Sequence, residues 1–70
     1  MSMIPTPESS TLAAFGYDEG RSVLVVEFNH GGRYEYYDVP AHVFEQMKQA
    51  PSKGVYLAHT IKGNFRYARV

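Results

Sequence analysis

From Ser22 to Phe28 the chain reads SVLVVEF, which sets Leu24, Val26 and Phe28 on one face of a strand and Val23, Val25 and Glu27 on the other. The next run, RYEYYD, sets Tyr34 and Tyr36 on one face and Arg33, Glu35 and Tyr37 opposite. Between them NHGG is a turn signal, so the pair predicts a hairpin. A three-residue loop, His30-Gly31-Gly32, pairs Phe28 with Tyr34 and Val26 with Tyr36 and unites the apolar faces. It also gives Gly32 the left-handed closing position, whereas an even loop sets the tyrosines beside Val23, Val25 and Glu27. Upstream, TLAAFGYD ends in the turn-forming DEG and reads as the first strand of a meander.

The period then changes from strand to helix. In VPAHVFEQMKQA, Val39, Val43, Phe44, Met47 and Ala50 recur at helical spacing, with Asp38 available as N-cap and Pro40 in the tolerant first turn. Pro51 closes this helix. Ser52 caps a second, SKGVYLAHTIKG, with Leu57, Ala58 and Ile61 on one face and Gly63 as the stop. NFRYARV alternates again and predicts a final strand. The order β-β-β-α-α-β implies an α+β fold, two short helices packed on one face of a small antiparallel sheet.

Seventy residues allow one domain, here residues 10–70. Such a chain buries only about 60% of the surface its unfolded form exposes. With no cysteine, apolar packing must supply the stability, and aromatics at 14% help. The leading MSMIPTPES, with two prolines, predicts an unpaired, disordered tail over residues 1–9. It lacks the positive start and apolar run of a signal peptide, and no stretch reaches the roughly 20 apolar residues of a membrane span. The expectation is a soluble cytoplasmic protein with no membrane partner.

Net charge is zero but unevenly distributed. Residues 1–45 carry seven carboxylates against Arg21 and Arg33, a balance of −5, while residues 46–70 carry Lys48, Lys53, Lys62, Arg66 and Arg69 with no carboxylate side chain, a balance of +5. The simplest consequence is that the halves neutralise each other in the fold. The functional alternative is that the basic half, with Tyr56 and Tyr67 interleaved, meets phosphates and unpaired bases. SKG, residues 52–54, opens a predicted helix whose free amides favour an anion, with Lys53 adding a charge. Tyr34 and Tyr36 lie on one strand face, as stacking rings do in sheet-based RNA readers, but that face is also the most apolar and suits core packing. Tyr37, on the mixed face, is the more exposed candidate.

Catalytic patterns are weak. His30, His42 and His59 fall in a turn and two different helices, without metal-ligand spacing. Ser52 and Lys53 are helix neighbours that point about 100° apart, and the carboxylate pairs Asp18-Glu19 and Glu27-Glu35 lie in a turn and on an open face. The expectation is no metal, no cofactor and no enzyme.

The blocks SSTLAAFGYD, LVVEF, YEY, the VP before the first helix, and APSKGVYLAHTIKG leading into FRYARV together resemble the small bacterial KTSC domain. That domain occurs at the C-terminus of some lysyl-tRNA synthetases and as a stand-alone protein. The resemblance covers nearly everything from Ser9 to Val70 and maps the family motif onto Tyr34, Tyr36, Ser52, Lys53 and Gly54. The family carries no established function, but its synthetase context suggests an RNA-binding, tRNA-directed module; the residues themselves then offer Lys53, Lys62, Arg66 and Arg69 as the phosphate candidates and Tyr37, Tyr56 and Tyr67 as the base candidates. The competing expectation is a protein-interaction module using the mixed sheet face of Val23, Val25 and Tyr37.

Overall fold

The computed structural model describes residues 1–70. Five strands form one antiparallel sheet in sequence order: β1 (Ile4–Pro5), β2 (Leu12–Asp18), β3 (Val23–Phe28), β4 (Arg33–Tyr36) and β5 (Tyr67–Arg69). Between β4 and β5 come α1 (Ala41–Gln49) and α2 (Lys53–Tyr56), the latter running into a single π-helical turn over Leu57–Ile61. The α+β architecture expected from the periodicity is present, with one additional strand at the N-terminus.

Register explains which side chains meet. One row crosses the whole sheet as Ile4, Phe15, Val26, Tyr34 and Arg69, and the next runs Tyr17, Leu24, Tyr36 and Tyr67. A bulge between Leu12 and Ala14 adds a residue to β2, so Leu12 and Phe15, three apart, both reach the core. Helix residues Val39, Val43, Met47, Leu57 and Ile61 close over this face and complete a cluster with Leu12, Phe15, Leu24, Val26, Phe28 and Tyr36. Each fully buried aliphatic chain contributes about 1.5–3 kcal/mol, which is how so small a chain without disulfides holds together.

Five local expectations are corrected. Residues 1–9 are not an unpaired tail: Ile4–Pro5 pair with Ala14–Phe15, and Thr6 is buried, its hydroxyl donating to the Leu12 carbonyl at 2.8 Å. Pro5 is tolerated because β1 is an edge strand. The hairpin loop is three residues long but starts one residue earlier, Asn29-His30-Gly31, so Val26 faces Tyr34 and Leu24 faces Tyr36. Gly31, at φ +100°, therefore takes the left-handed position assigned to Gly32. Moving the loop by one residue shifts the pairing by two, which preserves the faces.

Asp38 does not cap α1. It adopts φ +57° and turns its carboxylate to Arg66 at 2.8 Å, and Pro40 stands at the N-cap without a side-chain bond. In the second helix the π turn keeps Leu57 and Ile61 buried but leaves Ala58 exposed. The opposite sheet face is not the open valine surface expected. Val23 and Val25 are each only 2% exposed, in a face lined by the Arg21–Glu35 and Arg33–Glu27 ion pairs, and Gly16 on the same face leaves room for Met3 and Ser2.

Candidate functional site

The helices cover the β2 to β4 part of their sheet face and leave its β4–β5 margin open. There a groove of about 610 Å³ is lined by Thr11, Phe28, His30, Tyr34, Tyr36, Lys62, Gly63 and Tyr67. Ligand sites commonly span about 300–1,000 Å³. Four stretches of the chain supply it: Thr11 just before β2, the β3–β4 hairpin, the chain leaving the π turn, and β5. Its aromatic wall is continuous. His30 stacks on Phe28 at 5.3 Å with planes 3° apart, Phe28 meets Tyr34 edge-on at 5.3 Å, and Tyr67 lies 5.9 Å from Tyr34 and 5.6 Å from Tyr36. Lys62 Nζ stands 5.3 Å from the Phe28 ring centre, within cation–π range.

The hydroxyls divide the six tyrosines into two sets. Tyr17 donates to the Val39 carbonyl, Tyr37 to Glu35, and Tyr56 to the Val43 carbonyl and Gln46. These three tie the fold together. The hydroxyls of Tyr34, Tyr36 and Tyr67 have no partner within the chain, and all three residues line the groove. Tyr36 is the most telling: the residue is only 3% exposed, yet no buried side-chain oxygen in the protein is left unsatisfied, so its hydroxyl must reach the groove floor. Burial, then the neighbouring phenols of Tyr67 and Tyr34, push its pKa above the ordinary value. It therefore remains a neutral donor and acceptor at physiological pH. Tyr36 is a core residue and a site residue at once.

The cations divide as well. Arg21, Arg33, Lys48 and Arg66 are in ion pairs. Lys53 is bent back onto the Ala50 carbonyl at 2.8 Å, and Ser52 accepts the Val55 amide hydrogen. SKG is therefore a helix junction whose Ser52 hydroxyl and Lys53 ammonium are both bonded within the chain, so the lysine is not held out toward an anion. Lys62 and Arg69 have no carboxylate partner. Lys62 lines the groove, and Arg69 stands beside Tyr34 across the β4–β5 register.

Of the residues singled out in the sequence, the structure brings Tyr34, Tyr36, Lys62 and Tyr67 together, with Arg69 adjacent. Arg66 and Tyr37 lie on a neighbouring recess, while Tyr56, Ser52, Lys53 and Gly54 are elsewhere. Phe28 and His30 were missed as site residues. Pairing Phe28 with Tyr34 in the expected hairpin was the one available hint, since nothing local connects Phe28 to Lys62. No group of His, Asp or Glu side chains could hold a metal ion, and no helix is long and apolar enough to cross a membrane.

Comparison with known proteins places these residues in a family. The chain is 42% identical over 64 residues to a lysine–tRNA ligase of Nostoc sp., covering 91% of this chain but only 11% of that enzyme. It is 39% identical over 59 residues to a protein of Tsukamurella paurometabola, covering 84% of this chain and 88% of the relative. Among solved structures, a KTSC domain protein from Yersinia pestis superposes with a TM-score of 0.93 at 30% identity, over 99% of this chain and 96% of that one. The family model for the KTSC domain matches residues 8–65, and the chain accordingly belongs to the KTSC domain family.

Proposed function

We propose that this KTSC domain is a small RNA-binding module, directed to tRNA, and that the tyrosine groove takes an unpaired nucleotide. The observation that carries the proposal is the convergence of three tyrosines with unengaged hydroxyls on Lys62, with Arg69 beside them. Aromatic faces stack on bases with little regard to sequence, phenol hydroxyls meet base edges, and a nearby cation neutralises a phosphate. Tyr67, 61% exposed, is the stacking platform. Tyr34 and Tyr36 offer hydroxyls from the floor, and Lys62 and Arg69 hold the backbone. The match to a segment of lysine–tRNA ligases favours tRNA among RNAs. Without a paired nucleophile and base in the groove, we assign binding rather than catalysis.

The test is an amide-resolved NMR titration with bulk tRNA and with a short single-stranded RNA, at low and near-physiological salt. Shifts are expected at Tyr34, Lys62, Gly63 and Tyr67, and are lost in Lys62→Glu while the rest of the spectrum is retained. An absence of shifts at low salt, where phosphate contacts are strongest, would overturn the proposal and direct the search to protein partners.

A further inference from the structure

We infer that the interface continues past Tyr67 into a second nucleotide subsite, in which Arg66 over Tyr37 takes the phosphate and Asp38 is the counter-ion that this phosphate displaces. The inference rests on the reading of the first groove as a nucleotide site. A second, more open recess of about 610 Å³ shares Gly63 and Tyr67 with that groove and adds Tyr37, Phe65 and Arg66. A ring common to both recesses is placed to lie between consecutive bases. The Arg66 guanidinium carbon lies 5.9 Å from the Tyr37 ring centre, so cation and stacking surface come as one unit.

The Arg66–Asp38 pair is 2.8 Å long, but both side chains are almost fully in water, 79% and 78% exposed. Such a pair contributes little to stability and exchanges readily for another anion. Asp38 holds a left-handed backbone, φ +57°, a conformation that Asp and Asn tolerate better than most side chains. Its side chain caps nothing and touches no polar group except Arg66. The carboxylate thus occupies the place an incoming phosphate oxygen would take, with the geometry of a substitute.

The experiment compares adenosine 5′-monophosphate with the trinucleotide ApApA, by NMR titration of the full chain. Wild type should bind the trinucleotide at least about fivefold more tightly than the mononucleotide. Arg66→Ala should remove that difference, leave mononucleotide binding unchanged, and reduce the slope of log affinity against log salt by about 0.7. Asp38→Asn, which keeps a residue tolerant of the left-handed backbone, should tighten the trinucleotide about two- to fivefold. Equal affinities for the two ligands, or a trinucleotide advantage untouched by Arg66→Ala in a variant with a native amide spectrum, would overturn the second subsite and leave the groove standing. Failure of both ligands to bind would remove the groove as a nucleotide site, and the subsite with it.

Discussion

Removing one oxygen at two positions should have opposite consequences. Tyr17→Phe and Tyr36→Phe delete the same hydroxyl from rings that both pack in or against the core. The Tyr17 hydroxyl donates to the carbonyl of Val39, a residue with no exposed surface, and its ring stacks on Phe44 at 5.2 Å. Deleting the donor keeps the stack but leaves a shielded acceptor unpaired, at a cost of about 1–3 kcal/mol. For a domain of this size each kcal/mol shifts Tm by about 4–8 °C, so a fall of about 4–24 °C is expected. The Tyr36 hydroxyl has no partner to lose, and Tyr36→Phe should change stability by no more than about 0.5 kcal/mol. Binding should reverse the order. Single-stranded RNA should bind Tyr36→Phe about two- to tenfold more weakly, the value of one hydrogen bond, and folded Tyr17→Phe as well as wild type. Thermal melts and NMR titrations read both axes. Equal destabilisation by the two variants, or weakened binding by Tyr17→Phe alone, would refute the division of the tyrosines into fold and site.

Three further outcomes are expected. Gly16→Ala should release β1, because its Cβ would lie 2.7 Å from Met3 Sδ and 2.8 Å from the Ser2 carbonyl; a loss of about 1–3 kcal/mol in urea melts, with faster amide exchange at Thr6, checks it. Lys53→Met removes the bond to the Ala50 carbonyl and should cost about 1 kcal/mol while leaving RNA titrations unchanged, whereas a large binding defect would restore SKG as a site. The stability that Tyr36 and Tyr37 contribute should be fully present below about pH 10 and be lost as pH rises above it. The pKa of folded Tyr36 is raised by burial and then by its phenol neighbours, and that of Tyr37 by desolvation and then its bond to Glu35, so the unfolded chain ionises first. Tyr36→Phe should make the alkaline fall of the urea midpoint shallower.

Strand parity was the most legible part of the chain. Tyr34 and Tyr36 share a face with Leu24, Val26 and Phe28, as the two-residue period requires, although the loop begins one residue earlier than expected. Two adjacent glycines made both loops sterically possible, so the sequence could not choose between them. β1 was hidden because Pro5 and Pro7 argue against pairing, and only the edge position and a glycine on the neighbouring strand make it possible. Asp38 has the residue type and the distance from the helix that suit a cap, but Arg66, 28 residues away, holds it instead. The groove failed to appear for the same reason. Its rings and Lys62 become neighbours only through the β4–β5 register and the turn after Ile61, neither of which leaves a local pattern.

The π turn over Leu57–Ile61 has a consequence for how this domain can vary. A π turn is an α-helix that has absorbed one extra residue, and each residue of a regular helix advances the chain by about 100°. The Ser52 cap fixes where the helix begins, and Leu57 and Ile61 fix what it must bury, so the surplus is taken up as phase rather than as a shifted core. Lys62 follows immediately, its amide bonded to the Leu57 carbonyl at 2.9 Å. A one-residue deletion at exposed Ala58 would therefore return this turn to a regular helix with Leu57, Ile61 and the lysine that follows still in place. The chain can thus change length by one residue at this turn while the groove and the sheet beneath it keep their arrangement.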